Sequence, residues 1–452
     1  MEFEIYEPRG PIYNSVVTRR PGGVPSTPNL LGKAEYVWTP TLHQLSTSAR
    51  LLMASPAATL DLDTYVSSRV RETPPSGIRR FFDIAATMDN VISLGIGEPD
   101  FGSPEPALEA GIDALKNGRT HYTSNAGMGE LRALIAEDYE ERYGLSYDPE
   151  SEVIATVGCS EAMQLAMQAL LDPGDEVLIP EPCFVSYGPS ARFAGGEVVH
   201  VPTHVENDFQ VTAADIEPHL TDRSKVLFLG YPNNPTGAVL RRDTLEEIAR
   251  LVVDHDLLVV SDEIYDQLIY GTAHERGHVC VPTVEGLRDR TVLLGGFSKN
   301  YAMTGWRIGF ACAPAPLLQA MHKVHQYMIM SAPTMAQEGA IAALRDARED
   351  VETMRQSYDE RRRTIVSGLN DAGLPTFEPE GAFYCFPDVT STGLSSEEFA
   401  QSLLEEEKVA CVPGTAFGPS GEGYVRCSYA TGLSDIEEAL TRIDRFVTRH
   451  QS

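Results

Sequence analysis

Gly158-Cys159-Ser160, Asn234, Asp262 with Tyr265, and Ser298-Lys299 with Arg307 are residues whose types and spacing could do chemistry together. Each group follows a short apolar run of the kind that makes a buried strand. Glu152–Val157 runs into the Gly158 turn, and Val226–Leu229 runs into the stretch Tyr231–Gly237 that contains Asn234. Leu257–Val260 leads to Ser261-Asp262-Glu263, and Val292–Leu294 leads through two glycines to Ser298 and Lys299, with Arg307 eight residues on. In open α/β sheets, ligands bind beyond the carboxyl ends of strands. These four ends offer an anion cradle at a helix start, an amide, a carboxylate–phenol pair, and an amine with a guanidinium.

That set of groups fits pyridoxal 5'-phosphate. The cofactor needs a lysine for its aldehyde, a carboxylate for its ring nitrogen, hydrogen bonds to its phenolic oxygen and a seat for its phosphate. Asp262 is expected at the ring nitrogen, and Tyr265 with Asn234 at the phenolic oxygen. Arg307 and the helix start at Gly158, Cys159 and Ser160, with Ser298 nearby, are expected around the phosphate, the guanidinium gripping it with two donors. Lys299 is expected to bond the aldehyde and, once released by substrate, to move a proton at the substrate Cα.

Six segments carry a wider resemblance: Ser93–Phe101, His121–Arg132, Pro232–Gly237, Ser261–Tyr265, Phe297–Gly309 and Val425–Ala430. In this order they resemble the aspartate aminotransferase family, the class I/II aminotransferases of fold type I, from about residue 60 to the end. The resemblance implies a pyridoxal-phosphate-dependent transaminase with a ping-pong cycle, an aspartate or aromatic donor, and a 2-oxo acid acceptor such as 2-oxoglutarate. It also implies a homodimer with shared active sites. By position, Arg426 resembles the arginine that binds the substrate α-carboxylate, with Asn234 assisting and Gly97 contributing a backbone contact. Phe184 stands where an aromatic ring covers the pyridine face, and Tyr122 where a tyrosine reaches the neighbouring subunit's phosphate. The chain has Gly296 where members often carry a phosphate-binding serine. Ser160 stands where some aspartate-specific members place a lysine for the distal carboxylate. A carbon–sulfur β-lyase on the same fold would carry nearly the same residues and is the alternative reading.

The elements that must hold these groups read as strand followed by helix, repeated from Glu152 onward, with Glu176–Ile179 and Val198–Val201 as further strands. Apolar strands alternating with helices such as Thr244–His255 predict an α/β fold with a mostly parallel sheet. Residues 95–335 are expected to form this large cofactor-binding domain. Beyond about Met335, a long charged helix (Val351–Leu369) and hairpin pieces at Gly381–Phe386 and Tyr424–Tyr429 predict a smaller α+β domain over 336–452. Residues 53–94 are expected to supply an arm and part of that small domain, with Ser76, Gly77 and Ile78 as a lid over substrate. Residues 1–52 are proline-rich and hold four acids against five bases. They read as a disordered leader without a secretory signal, with Met53 as the initiator.

Composition narrows the function further. With 65 acidic against 36 basic residues, the 452-residue chain has a formal charge of −29, which disfavours nucleic-acid binding. No apolar stretch is long enough for a membrane helix. Only six of the basic residues are lysine, and an acid-rich, lysine-poor surface suits a salt-rich cytoplasm, where ions screen self-repulsion. Seven cysteines without a Cys-x-x-Cys pair read as reduced thiols in a cytoplasmic protein. His274-Glu275-Arg276-Gly277-His278 spells a zinc-peptidase motif, but the glycines around and within it predict a loop and no metal site.

Overall fold

Short runs of Val, Ile and Leu need cover on both faces, and the computed structural model, which describes residues 61–77 and 88–451, provides it. The leader 1–52, Met53 and Ile78 lie outside the described residues. Ile92–Ser93 (β1) comes first in the chain. The main sheet then takes β2 (Val153–Thr156), β3 (Glu176–Glu181), β4 (Glu197–Pro202), β5 (Ser224–Gly230), β6 (Leu258–Asp262), β7 (Thr291–Gly296) and β8 (Gly309–Cys312). Its order is β2-β8-β7-β6-β5-β3-β4. All pairings are parallel except those that β8 makes with β2 and β7. Every residue of β2, β3, β7 and β8 is buried, whereas β4, at an edge, is only partly covered.

The lone antiparallel strand has no sequence signal of its reversal, because only the short 3₁₀ turn Thr304–Trp306 lies between the Lys299 turn and the strand. Its reversal has a consequence for the site. The amino end of β8, just after Arg307, lies at the same sheet edge as the carboxyl ends of β2, β5, β6 and β7. Helices form close to where periodicity puts them, at Gly158–Leu170, Arg242–Asp254 and Arg348–Asp371.

The later part of the chain adds a three-stranded antiparallel sheet of β11 (Val412–Pro413), β12 (Val425–Ser428) and β9 (Tyr384–Cys385), in that order. β1 pairs in parallel with β10 (Val409–Ala410), tying residues 92 and 93 to this region. Tyr265, Tyr358, Phe383, Tyr384, Phe399 and Phe446 belong to one buried apolar cluster there. Among the described residues, no helix is long and apolar enough to cross a membrane.

One expectation needs correction. The segment around His274, predicted as a loop, forms a short helix, Gly271–Arg276, which ends at Gly277 with φ 77°. Its first turn is capped from afar, as Glu380 accepts from the Ala273 amide at 3.1 Å, a contact that local sequence cannot reveal. His278 lies past the helix end, and its Nε2 is 2.8 Å from Glu263 Oε2. The two histidines therefore do not share the helical face that zinc ligation requires.

Candidate active site

Asp262 closes β6, in register with Gly230 of β5 and Leu294 of β7, so the sheet itself fixes its carboxylate at the carboxyl edge. The residue is 7% exposed. Its oxygens accept from the Tyr187 hydroxyl at 2.9 Å, the Cys159 thiol at 3.4 Å and the Ile264 amide at 3.3 Å. Burial pushes its pKa up, and these three hydrogen bonds oppose the shift. All three donors are neutral, and no cation pairs with Asp262 among the described residues. A buried carboxylate so placed is suited to a cationic N–H donor.

Lys299 follows β7. Its Nζ donates to the Gly97 carbonyl and lies 5.8 Å from the ring centre of Tyr265 and 5.5 Å from that of Phe383. Burial, with Arg426 and Arg307 adding repulsion, lowers its pKa to about 8, while Glu98 and Asp262 oppose the shift. The Tyr265 and Tyr384 hydroxyls are 3.0 Å apart, and burial raises both phenols.

The anionic end of a ligand has a separate seat. Gly158 starts the 13-residue helix Gly158–Leu170 with φ 71°, a left-handed value that glycine adopts without strain. A Cβ there would lie 2.6 Å from Arg307 Nη2, and one on Gly309 would lie 2.5 Å from the Cys159 amide nitrogen. Two glycines thus let β8, Arg307 and the helix start come together where free amides and a guanidinium can share an anion.

Arg426 lies on β12 and is 2% exposed. Nη1 donates to Asn234 Oδ1 at 3.0 Å and Nη2 to the Gly95 carbonyl at 2.5 Å, and the guanidinium packs 4.5 Å from the Tyr384 ring centre. Nε has no partner, and no carboxylate pairs with Arg426 among the described residues. A buried guanidinium satisfied only by neutral oxygens is poised for a carboxylate.

These groups border one cavity of about 560 Å³, within the range of small-ligand sites. Gly97, Cys159, Ser160, Phe184, Asn234 and Ser298 line it beside Asp262, Tyr265, Lys299, Arg307 and Arg426. Tyr122 does not, and its side chain stands on the surface, 81% exposed. Tyr187, Tyr384 and Glu98 also line the cavity and were not foreseen from sequence. Tyr187 opens a helix shortly after the end of β3, so the strand-end rule could have found it. Ser76 and Gly77 border a second cavity of about 690 Å³ that shares Ser160, Met163 and Phe184 with the first.

The cavity's donor set fits pyridoxal phosphate: Asp262 lacks a cationic partner, Lys299 has a lowered pKa, and the Gly158–Arg307 cradle has no room for a Cβ. A sheet of this topology with its cavity at the carboxyl edge defines an α/β enzyme of fold type I. Aspartate aminotransferase from Thermus thermophilus, solved with maleate, has the same fold with a TM-score of 0.80 at 40% identity, covering 84% of this chain and 99% of that one. Residues 89–443 match the aminotransferase class I and II family. Aspartate aminotransferase of Pyrococcus abyssi is 46% identical, and aromatic-amino-acid aminotransferase 2 of Thermococcus litoralis is 44% identical. Each alignment spans 84% of this chain and 97% of the relative. The chain belongs to the aminotransferase class I and II family. It is a transaminase acting on amino acids and 2-oxo acids, in a family that uses pyridoxal phosphate.

Proposed function

We propose that the protein binds pyridoxal phosphate in the 560 Å³ cavity and transfers amino groups from an aspartate or aromatic donor to a 2-oxo acid such as 2-oxoglutarate. The observation that carries this reading is the convergence of Lys299, Asp262, Arg307 and Arg426 on one buried space. When bound, the cofactor supplies an aldehyde that carries the amino group and a pyridinium that withdraws electrons from the substrate Cα. Asp262 holds the ring nitrogen protonated, and Tyr187 and Cys159 hold Asp262. Tyr265 and Asn234 address the phenolic oxygen, and Phe184 covers the ring. Arg307 and the amides of Cys159 and Ser160, beside Ser298, hold the phosphate. Lys299 would hold the aldehyde carbon and, once free, would carry the proton from the substrate Cα to that carbon. Arg426, steadied by Asn234, holds the α-carboxylate of donor and acceptor in turn, with Gly97 alongside, which makes the kinetics ping-pong.

The donor classes come from the named relatives, and the absence of a lysine at Ser160 favours the aromatic ones. Tyr122 comes three residues before Asn125, which meets an exposed apolar strip. Tyr327 is 90% exposed and Met330 is 47% exposed, and Asn125 donates to the Met330 carbonyl at 2.7 Å. We read this strip as the contact with a second copy, through which Tyr122 reaches the partner's phosphate seat. The seven free cysteines fit a reducing cytoplasm. Residues 95–335 and 336–452 serve as the large and small domains of this reading. An amino-donor screen against 2-oxoglutarate tests it. Donor-dependent glutamate formation is expected, whereas pyruvate and thiol release from cystathionine without glutamate would favour the lyase.

A further inference from the structure

Behind the cavity lies a polar cluster that the proposed chemistry does not use. Asp266 is 3% exposed and follows Tyr265 directly, and Asn300 follows Lys299 directly. Asn300 Nδ2 donates to Asp266 Oδ1 at 2.6 Å. The other carboxylate oxygen accepts from Arg142 Nη1 at 2.6 Å and from the Tyr143 hydroxyl at 2.8 Å. Arg142 and Tyr143 end the helix Gly129–Tyr143, and Arg142 also donates to Asp138 at 2.7 Å. Burial alone would raise the Asp266 pKa, but Arg142, His278 and the hydrogen bonds outweigh it and hold the carboxyl below its ordinary value.

The backbone explains why such a tie matters. β6 and β7 run side by side to Asp262 and Leu294, and the Glu263 amide makes a last rung to the Leu294 carbonyl at 3.0 Å. Beyond that rung β6 ends and its chain turns to carry Tyr265, while β7 stays paired with β8 through Gly296 before its own turn carries Lys299. The Asp266–Asn300 hydrogen bond spans these turns. The Asn300 side-chain oxygen is buried with no partner among the described residues, so the side chain's one polar contact among them is its donation to Asp266.

We infer that Asp266 is a positioning residue: anchored by Arg142 and Tyr143, it grips Asn300 and fixes the Lys299 turn against the Tyr265 turn. The inference rests on the reading of Lys299 and Tyr265 as cofactor residues. A small misplacement of a reacting group costs rate even when the change lies behind the site. Loosening this tie therefore moves the Lys299 amine relative to Glu98, Asp262, Arg307 and Arg426, the charged groups that set its proton affinity, while leaving the Arg426 carboxylate seat intact.

The test uses the full chain with Asn300→Ala, Asp266→Asn and the exchange Asp266→Asn/Asn300→Asp, which restores one carboxylate facing one amide. In the cofactor-free protein, the pH dependence of Lys299 acylation is read by peptide mass spectrometry. In the loaded enzyme, kcat and the donor KM are measured. Asn300→Ala, which keeps the Arg142–Asp266 pair, should move the acylation midpoint by about half a pH unit or more. It should also lower kcat roughly ten-fold, with donor KM within about two-fold, and the exchange should recover most of both. A lowered melting temperature with unchanged midpoint and kcat in Asn300→Ala would overturn the inference and leave the site reading standing. Full turnover in Lys299→Ala would overturn both.

Discussion

The Tyr187 hydroxyl donates to Asp262 Oδ2 at 2.9 Å across 75 residues of sequence. It joins the first turn of a helix near β3 to the last residue of β6. The bond favours the ionised form of a carboxylate that burial drives toward neutrality, and the proposed chemistry needs that ionised form.

Tyr187→Phe therefore should weaken cofactor binding. A hydrogen bond to a charged group is worth roughly 1.5–3 kcal/mol, or about ten-fold or more in dissociation constant. Titration of the cofactor-free variant with pyridoxal phosphate, followed by tyrosine fluorescence or cofactor absorbance, checks this. Affinity equal to wild type would show that Asp262 does not need the phenol.

Cofactor attachment should depend on pH in a definite direction. Only the neutral amine attacks an aldehyde, and Lys299 loses its proton near a pKa of about 8, below the ordinary lysine value. The attachment rate should climb as pH rises through about 8 and level off above it. An unperturbed lysine would keep climbing to beyond pH 10. Stopped-flow mixing of cofactor-free protein with pyridoxal phosphate from pH 6.5 to about pH 10 separates the two profiles.

Gly158→Ala places a methyl where Arg307 Nη2 stands 2.6 Å away, at a φ of 71° that L residues rarely adopt. Strain at such a site costs on the order of 1–3 kcal/mol. The loss should fall on the phosphate, so the variant should bind pyridoxal phosphate more weakly and pyridoxal nearly as well as wild type. Equal losses for both ligands would mean that this helix start does not seat the phosphate.

Arg426→Lys keeps a charge but removes the planar fork that Asn234 and Gly95 orient. The donor and acceptor KM values should both rise, by roughly ten-fold or more, while cofactor affinity stays near wild type. Steady-state kinetics with two donors and two acceptors measure this, and a change confined to one substrate would argue against a shared carboxylate seat.

The strand-end residues were legible because a parallel sheet brings its carboxyl ends to one edge, and each apolar run announced its own end. The reversal at β8 even helps, since it returns Arg307 to that edge. Tyr187, Tyr384 and Asp266 were not legible for a different reason. Their partners lie 34 to 124 residues away, and no local pattern states which phenol or carboxylate will face which. The helix Gly271–Arg276 is hidden from local sequence for the same cause, since its cap, Glu380, arrives from another part of the chain. Only the family resemblance singles out Tyr122, and a single chain leaves it on the surface.

The acid excess is a property of the surface, while the proposed site gathers Lys299, Arg307 and Arg426. If self-repulsion of a −29 chain is held off by salt, the melting temperature should rise as KCl is raised from about 0.1 M toward about 1 M. A flat or falling profile by differential scanning fluorimetry would set the salt-adapted reading aside.

The central claim is that Lys299 carries the cofactor, and the chain's six lysines make it directly measurable. The loaded enzyme is treated with borohydride, digested, and searched for the pyridoxyl group by mass spectrometry, with and without prior addition of an amino donor. The group should be found on the Lys299 peptide, and it should disappear when the donor is added first. A pyridoxyl group on another lysine, or one that survives the donor unchanged, would contradict the account.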